Sequence, residues 1–198
     1  ADGELVEKSL AGHADQVRPC TRCDLCGNAN TYGTSMRCAI NPRLGQTGPI
    51  EPAPVKKKVM VIGGGPGGMS AAYFVGRAGI PVTIFERADC LGGVVRQVIP
   101  AWRISDDAID KDVALMFKMG VEVKLNTEAP SVAELKAMGY THIFFAVGAW
   151  KAGKLDIPGN VVPVIGWLKD MKAGKEVPLG HVAVVGGGNT AMDAARAA

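Results

Sequence analysis

A glycine-rich turn lies between an apolar run and a helical pattern near the middle of the chain. The run 59–62 predicts a buried strand, the pattern over 66–77 predicts a helix, and residues 63–68 between them satisfy GxGxxG. A turn of this kind directs the unpaired N–H groups of the helix N-terminus toward phosphate. The sequence therefore predicts a Rossmann-type unit that binds a dinucleotide; the alternative is a turn that only packs strand against helix.

The glycines of this first turn have separate roles. Gly63 permits the tight turn, Gly65 lets the backbone approach a pyrophosphate, and Gly68 lets the helix pack on the strand. Glu86 directly follows the second predicted strand, Val82–Phe85, where a carboxylate can accept hydrogen bonds from an adenosine ribose. The candidate dinucleotide-binding residues of this region are Gly63, Gly65, Pro66, Gly67, Gly68 and Glu86.

Alternating helix and strand patterns continue after Glu86. Ser105 predicts the N-cap of a helix that ends near residue 119, and Ser131 begins a capping box before a short helix. Strands are predicted over 121–125 and 143–147. The buried face predicted for the first of these helices comprises Ile109, Val113, Met116 and Phe117. This order of elements predicts an α/β fold with a parallel sheet.

A second glycine-rich turn follows a further predicted strand, 182–185. Residues 186–191 satisfy GxGxxA and open a helical pattern, which predicts a second, nested dinucleotide-binding domain that is only begun. Its candidate residues are Gly186, Gly188, Asn189 and Thr190. Because such residues are common at helix starts, the alternative for Asn189, Thr190 and Asp193 is that they are simple helix-capping and surface residues.

Four cysteines occur within 19 residues near the start of the chain, at positions 20, 23, 26 and 38. Their surroundings show no sustained helix or strand pattern, so a loop is expected. The spacing favours a [4Fe–4S] cluster held by Cys20, Cys23, Cys26 and Cys38; zinc and redox-active thiols remain alternatives. Cys90 stands apart and is expected to be a bystander.

Three prolines in residues 48–55 predict an extended connector. The expected domains are a Cys-rich segment over 1–55, a Rossmann-like domain over 56–160, and the start of a second dinucleotide-binding domain over 161–198. The chain begins without Met and stops inside a predicted helix, so we expect a fragment of a longer enzyme. The net charge of +3 is slight, and no apolar stretch is long enough to cross a membrane. A cytoplasmic protein without nucleic-acid or membrane partners is expected.

Residues 57–198 resemble the two-dinucleotide flavoprotein reductases, including the small subunit of glutamate synthase. The residues that carry the resemblance are 91–93 (LGG), 99–103 (IPAWR), 146–148 (AVG), 155–159 (LDIPG) and 186–193 (GGGNTAMD). The resemblance implies FAD at the first turn and NAD(P)H at the second. It adds Arg87, Gly92, Gly93, Arg96, Val147 and Gly148 as candidate FAD-binding residues. Trp102 and Arg103 either lie near the flavin or merely pack against each other.

The cysteine segment, 16–42, resembles the junction in trimethylamine dehydrogenase, 2,4-dienoyl-CoA reductase and clostridial enoate reductases. In those enzymes it follows an FMN-bearing barrel. The resemblance implies an electron path from NAD(P)H through FAD and the cluster to FMN and an unsaturated substrate. One alternative is a nucleotide-binding domain that holds ADP without a redox role. Another is an electron-transfer subunit of a glutamate-synthase-like or selenate-reductase-like complex, docked on a separate catalytic subunit. No acid–base residue is predicted.

Overall fold

The computed structural model describes residues 2–18, 20, 22–45, 48, 50–55, 57–151, 153, 155–175 and 180–198. The chain divides into two compact units, Ala1–Pro49 and Ile50–Ala198, which we call unit 1 and unit 2. The domain limits expected near residues 55 and 160 stay predictions. Within the described ranges, no helix is both long and apolar enough to cross a membrane.

Unit 1 contains helix α1, Leu5–Leu10, a 3₁₀ turn, Ala14–Gln16, and helix α2, Leu25–Thr31. The sequence patterns predicted neither helix, because such short helices carry no apolar stripe that repeats over several turns. Helix α2 lies inside the cysteine segment that was expected to be a loop, and it includes Cys26.

A carboxylate holds the start of unit 1 together. Asp2 accepts hydrogen bonds from the backbone N–H groups of Glu4 and Arg18 and from the Lys8 ammonium, each at 2.9 Å. Burial by itself raises the pKa of Asp2, but the hydrogen bonds, the strongest from Arg18, outweigh it and lower the pKa to about 2.

Unit 2 is built on a parallel sheet of four strands. They are β1, Val59–Ile62, β2, Val82–Phe85, β3, Glu122–Lys124, and β4, His142–Phe145, in the order β3-β2-β1-β4. Val61 of the central β1 pairs with Ile84 on one side and with Phe144 on the other. The predicted α/β fold with a parallel sheet is confirmed, and β1 and β2 begin and end at the predicted residues.

The described residues of unit 2 form six helices. They are α3, Pro66–Arg77, α4, Gly93–Gln97, α5, Asp106–Phe117, α6, Val132–Ala137, α7, Val164–Lys172, and α8, Asn189–Ala197. The predicted bounds of α3 are confirmed, and Ser105 caps α5 by accepting a hydrogen bond from the N–H of Ala108. The capping box between Ser131 and Glu134 is also confirmed. The sequence patterns did not predict α4 and α7.

The core of unit 2 lies on both faces of the sheet. On one face Val61 and Ile84 pack with Ala72 of α3 and Met116 of α5, and all four are nearly inaccessible to solvent. On the other face Met60 and Phe85 pack against Leu135 of α6. Each large apolar side chain buried in this way contributes about 1.5–3 kcal/mol. Sheets that are covered on both faces carry apolar residues at successive positions, as β1 does.

Two predictions from periodicity were wrong. Phe117 was expected on the buried face of α5 but is 49% exposed, because α5 ends there and the chain turns away at Gly120. Residues 182–185 were expected to form a strand but have none, although they lead into α8. A strand requires a hydrogen-bonded neighbour, and no described strand pairs with this run.

Candidate dinucleotide and cluster sites

The first glycine-rich turn lies where the strand order changes direction. β1 is flanked by β2 on one side and β4 on the other, and ligands of open parallel sheets bind in the crevice at the carboxyl ends of such strands. Gly63 follows β1 with φ +104°, and a Cβ there would lie 2.4 Å from the carbonyl oxygen of Ala146. Only glycine fits this position, since both its conformation and its neighbours exclude a side chain.

Gly68 and Gly65 meet different surroundings. A Cβ at Gly68 would lie 1.9 Å from the carbonyl oxygen of Gly63, so the first turn of α3 packs directly on the loop. A Cβ at Gly65 would meet Gly93 at 3.8 Å, an ordinary contact, and at Gly67 it would meet nothing within 4 Å. The side of the turn at Gly65 and Gly67 is therefore open, while the side at Gly63 and Gly68 is closed by backbone.

Glu86 is hydrogen-bonded to this turn. It is 8% exposed, and its two carboxylate oxygens accept hydrogen bonds from the N–H groups of Gly64 at 2.6 Å and Ala88 at 2.8 Å. Each carboxylate oxygen has a second lone pair. The side chain can therefore brace the turn and still accept a hydrogen bond from a ribose hydroxyl. The adjacent Arg87 is exposed.

The segment 91–96 lies against the same turn. The N–H of Gly92 donates to the carbonyl oxygen of Gly64 at 2.8 Å, and a Cβ at Gly93 would lie 2.9 Å from the Cα of Gly65. Arg96 donates through Nε to the carbonyl oxygen of Leu91 at 2.7 Å and pairs with Asp110 of α5. Arg96 thus holds the 91–93 loop in place, and the sequence patterns did not predict its pairing with Asp110.

Residues after β4 complete this edge of the sheet. A Cβ at Gly63 would lie 3.2 Å from the backbone nitrogen of Val147, so the two loops touch. Gly148 follows with φ +72°, and both Val147 and Gly148 are exposed. The structure therefore brings the predicted residues of the first turn, of the 91–96 segment and of the 146–148 loop to one edge.

The second glycine-rich turn is more open than the first. Gly186 has φ +134°, and Gly188 is the N-cap of α8, with nothing within 4 Å of a Cβ there. Asn189 and Thr190 are the first residues of α8, and both are exposed. These four candidates form a helix N-terminus whose N–H groups are accessible to an anion.

An ion pair that the sequence patterns missed joins α8 to the loop before α5. Asp193 of α8 is 6% exposed and pairs with Arg103, 90 residues away in the chain. The Arg196 guanidinium lies 4.9 Å from the centre of the Trp102 ring. Trp102 and Arg103 are thus each engaged with α8 rather than with each other.

The four predicted cluster ligands all belong to unit 1. Cys20, Cys23 and Cys26 are exposed and Cys38 is half-buried. Among the residues that the structure describes, no three cysteine, histidine or acidic side chains are grouped closely enough to hold a metal ion. The structure thus places the thiols in one unit without drawing them into a ligand set.

The backbone around these thiols has features that suit a sulfur-bound metal. The N–H of Arg22 donates to Sγ of Cys20 at 3.4 Å, and Arg22 and Asp24 have φ of 54° and 55°. Left-handed backbone at residues other than glycine costs about 1–3 kcal/mol and is concentrated at functional sites. Hydrogen bonds from the N–H of Ile40 and, less strongly, of Asn41 lower the pKa of the Cys38 thiol.

Cys90 lies in a different environment, within unit 2. It is half-buried, and burial, with a smaller effect of the Asp89 carboxylate, raises the pKa of its thiol. A raised pKa disfavours the thiolate that reacts and binds metal.

Comparison with known proteins agrees with this geometry. The chain is 34% identical over 166 residues to the NADP(+)-dependent formate dehydrogenase subunit beta of Moorella thermoacetica, covering 78% of this chain and 24% of that protein. It is 41% identical over 145 residues to the oxidoreductase YgfK of Escherichia coli K12, covering 71% and 14%. The solved structure of a 2-naphthoyl-CoA reductase bound to 2-naphthoyl-CoA is similar over 98% of this chain, with 30% identity and a TM-score of 0.75.

The chain spans less than a third of each of these proteins, including 30% of the naphthoyl-CoA reductase. The resemblance to flavoprotein reductases that the motifs predicted is confirmed. Residues 57–198, which contain both glycine-rich turns, match the family described as pyridine nucleotide-disulphide oxidoreductase. The chain therefore belongs to the pyridine nucleotide-disulphide oxidoreductase family.

Proposed function

We propose that this chain is the NAD(P)H-oxidising FAD module of an iron–sulfur flavoprotein, with FAD at the first glycine-rich turn. Family membership implies FAD and NAD(P)H as the two dinucleotides. The observation that carries the assignment of FAD to the first turn is the open backbone at Gly65, beside a buried Glu86 that is bound to Gly64. A pyrophosphate needs such an approach to backbone N–H groups at a helix N-terminus.

The residues of the site divide the work of holding FAD. Gly65, Pro66 and Gly67 form the start of α3, which faces the pyrophosphate, and Glu86 accepts hydrogen bonds from the ribose. Gly63 and Gly68 shape the turn, and Arg96 braces the loop that carries Gly92 and Gly93. Val147, whose backbone touches the turn at Gly63, and the exposed Gly148 and Arg87 are the remaining residues proposed to contact FAD. FAD supplies the hydride chemistry when bound, and these residues bind and orient it.

The second turn receives NAD(P)H in this proposal. Gly186 and Gly188 leave the backbone accessible, and Asn189 and Thr190 begin the helix that faces the phosphates. Bound there, NAD(P)H would supply a hydride to an FAD held at the first turn, while the residues of the second turn would bind and orient the nucleotide.

We propose a [4Fe–4S] cluster on Cys20, Cys23, Cys26 and Cys38 as the next carrier. Among the described residues of unit 1, Ala29 is the one buried residue. Folded units of fewer than about 70 residues with little core usually depend on a metal or disulfides. The left-handed residues between the ligands and the N–H groups directed at sulfur support the same assignment.

The electron acceptor is an FMN-bearing barrel in the same polypeptide, which reduces an unsaturated thioester or acid. The similarity to 2-naphthoyl-CoA reductase, over 98% of this chain and 30% of that one, supports this proposal. A second candidate is a separate catalytic subunit, and the relative named as a subunit beta favours it. The two candidates differ in whether FMN copurifies on the same polypeptide.

Absorption spectra of the full-length protein, purified without oxygen and recorded before and after NADPH is added, test this electron path. We expect flavin bands over a broad iron–sulfur shoulder, with both bleached by NADPH. An iron–sulfur shoulder without flavin bands, together with bound ADP, would instead favour a nucleotide that only supports the fold.

Gly65→Ala tests the assignment of FAD to the first turn. The added Cβ meets only an ordinary contact, so the fold should persist while the methyl group keeps the pyrophosphate away. We expect the FAD content per polypeptide to fall about tenfold or more. Gly166→Ala in the exposed part of α7, where a Cβ meets nothing within 4 Å, is the control and should keep full FAD content. Full FAD content in Gly65→Ala would overturn the assignment.

A further inference from the structure

Among the described residues, side chains of α7 and α8 contact the segment between α4 and α5 and the first residue of α5. Lys172 of α7 donates to the carbonyl oxygen of Ile99 at 2.8 Å and lies 3.7 Å from Asp106. Arg103 pairs with Asp193 of α8, and Arg196 of α8 stacks on Trp102. We call the last two contacts, formed by Trp102, Arg103, Asp193 and Arg196, the α8 joint.

The α8 joint closes a short path between the two glycine-rich turns. The first turn touches Gly92 and Gly93, which begin α4, and the chain then reaches Arg103 after ten residues. Asp193 lies in the middle of α8, whose N-terminus is the second turn. The turn assigned to FAD is therefore connected with the turn assigned to NAD(P)H through α4 and the residues after it, the α8 joint, and α8 itself.

Burial identifies Asp193 as the important member of the α8 joint. A carboxylate that is 6% exposed loses most of its hydration, and this loss is tolerated only with a charged partner. Arg103 supplies that charge while 43% of its own side chain stays exposed. The ion pair between Lys175 and Asp170 of α7 differs in this respect. Both of its side chains are exposed to water, so neither charge needs the other to replace lost hydration.

We propose that Asp193 and Arg103 are positioning residues for hydride transfer. This inference rests on the proposed function: if FAD and NAD(P)H occupy the two turns, the α8 joint sets the distance between donor and acceptor. Neither residue needs to touch either dinucleotide. Reacting atoms must approach to about 3–3.5 Å, and an error of about 1 Å in their placement costs on the order of a hundredfold in rate.

Asp193→Asn in the full-length protein tests this role, with Asp170→Asn as the matched control. We expect Asp193→Asn to retain FAD and to bind NADPH with unchanged affinity. Its flavin should be reduced on the order of ten- to a hundredfold more slowly at saturating NADPH in a single turnover. A second readout does not depend on turnover: amide exchange over residues 98–104 should accelerate in Asp193→Asn and not in Asp170→Asn.

Arg103→Lys and Arg103→Gln extend the test if Asp193→Asn does not fold. Since Arg103 is partly exposed, both variants should fold, and lysine should restore more of the reduction rate than glutamine. Unchanged reduction and exchange in Arg103→Gln or Asp193→Asn would overturn the positioning role while leaving the proposed function intact. A wild-type flavin that neither NADPH nor NADH reduces would overturn the proposed function itself.

Discussion

Among the described residues of unit 1, Ala29 is the one that is buried, whereas unit 2 buries apolar side chains on both faces of a parallel sheet. Unit 1 instead holds polar contacts around Asp2 and left-handed residues between its cysteines. This difference indicates that unit 2 has a hydrophobic core of its own, and we infer that unit 1 depends on the proposed cluster to hold it together. The following experiments test this contrast.

Loss of iron should have the largest effect, and only on unit 1. Binding of a structural metal by thiolates provides about 10 kcal/mol or more of folding free energy. When iron is removed by an anaerobic chelator, we expect the amides of 25–31 to lose their protection from hydrogen exchange. The amides of 59–62 and 82–85 should keep theirs. Protection of 25–31 that survives iron removal would contradict the contrast.

Two cysteine variants test which thiols bind the proposed cluster. If the proposed cluster is present, Cys38→Ser should lose iron and the protection of unit 1, because a [4Fe–4S] cluster is held by four thiolates. Cys90→Ser, in unit 2, is the matched control and should keep full iron content.

Gly68→Ala should destabilise unit 2 by about 3 kcal/mol or more, because the new Cβ would lie 1.9 Å from a backbone oxygen. Urea unfolding of the purified protein measures this change. The neighbouring Gly67→Ala meets nothing within 4 Å and should stabilise α3 by roughly 0.5–1 kcal/mol. Equal stability of the two variants would show that the packing of the turn on α3 is looser than the structure has it.

Acid should loosen unit 1 through Asp2. The pKa of Asp2 is about 2 in the folded protein against 3.8 for the free group, so its ionised form stabilises folding above about pH 4. This stability, on the order of 2 kcal/mol, is lost as the pH falls from about 4 to 2. Amide exchange of α1 between these pH values measures it. Asp2→Asn should reduce this dependence and leave the part that comes from protonation of the proposed cluster's thiolates, whereas Asp15→Asn, at an exposed position, should leave the dependence unchanged.

Gly188→Ala should have the smallest effect on folding. Its φ of −81° suits any residue, and its surroundings are open. The free energy of unfolding, measured with urea, should therefore change by less than about 0.5 kcal/mol. The affinity for NADPH should nevertheless fall, because a methyl group would stand between backbone and pyrophosphate. Unchanged affinity, measured by titration against Gly166→Ala, would argue that the second turn binds no nucleotide.

The sequence alone determined the central βαβ unit and its turn. The strands β1 and β2 and the helix α3 have local signatures: apolar β-branched runs, glycines that demand a turn, and a proline suited to a helix start. The caps at Ser105 and Ser131 are likewise local, because a capping side chain bonds to residues three positions away. The chemistry of the candidate site, glycine-rich turn and acidic residue, was predictable for the same reason.

Only the tertiary structure decided features that depend on distant partners. It left Phe117 exposed, left residues 182–185 unpaired, and joined Arg103 to Asp193 across 90 residues of chain. It also brought Gly76 of α3 so close to Met119 that a Cβ would lie 2.8 Å from a carbonyl oxygen. Periodicity reports which face of an element is apolar, but what covers that face depends on residues far away in the chain.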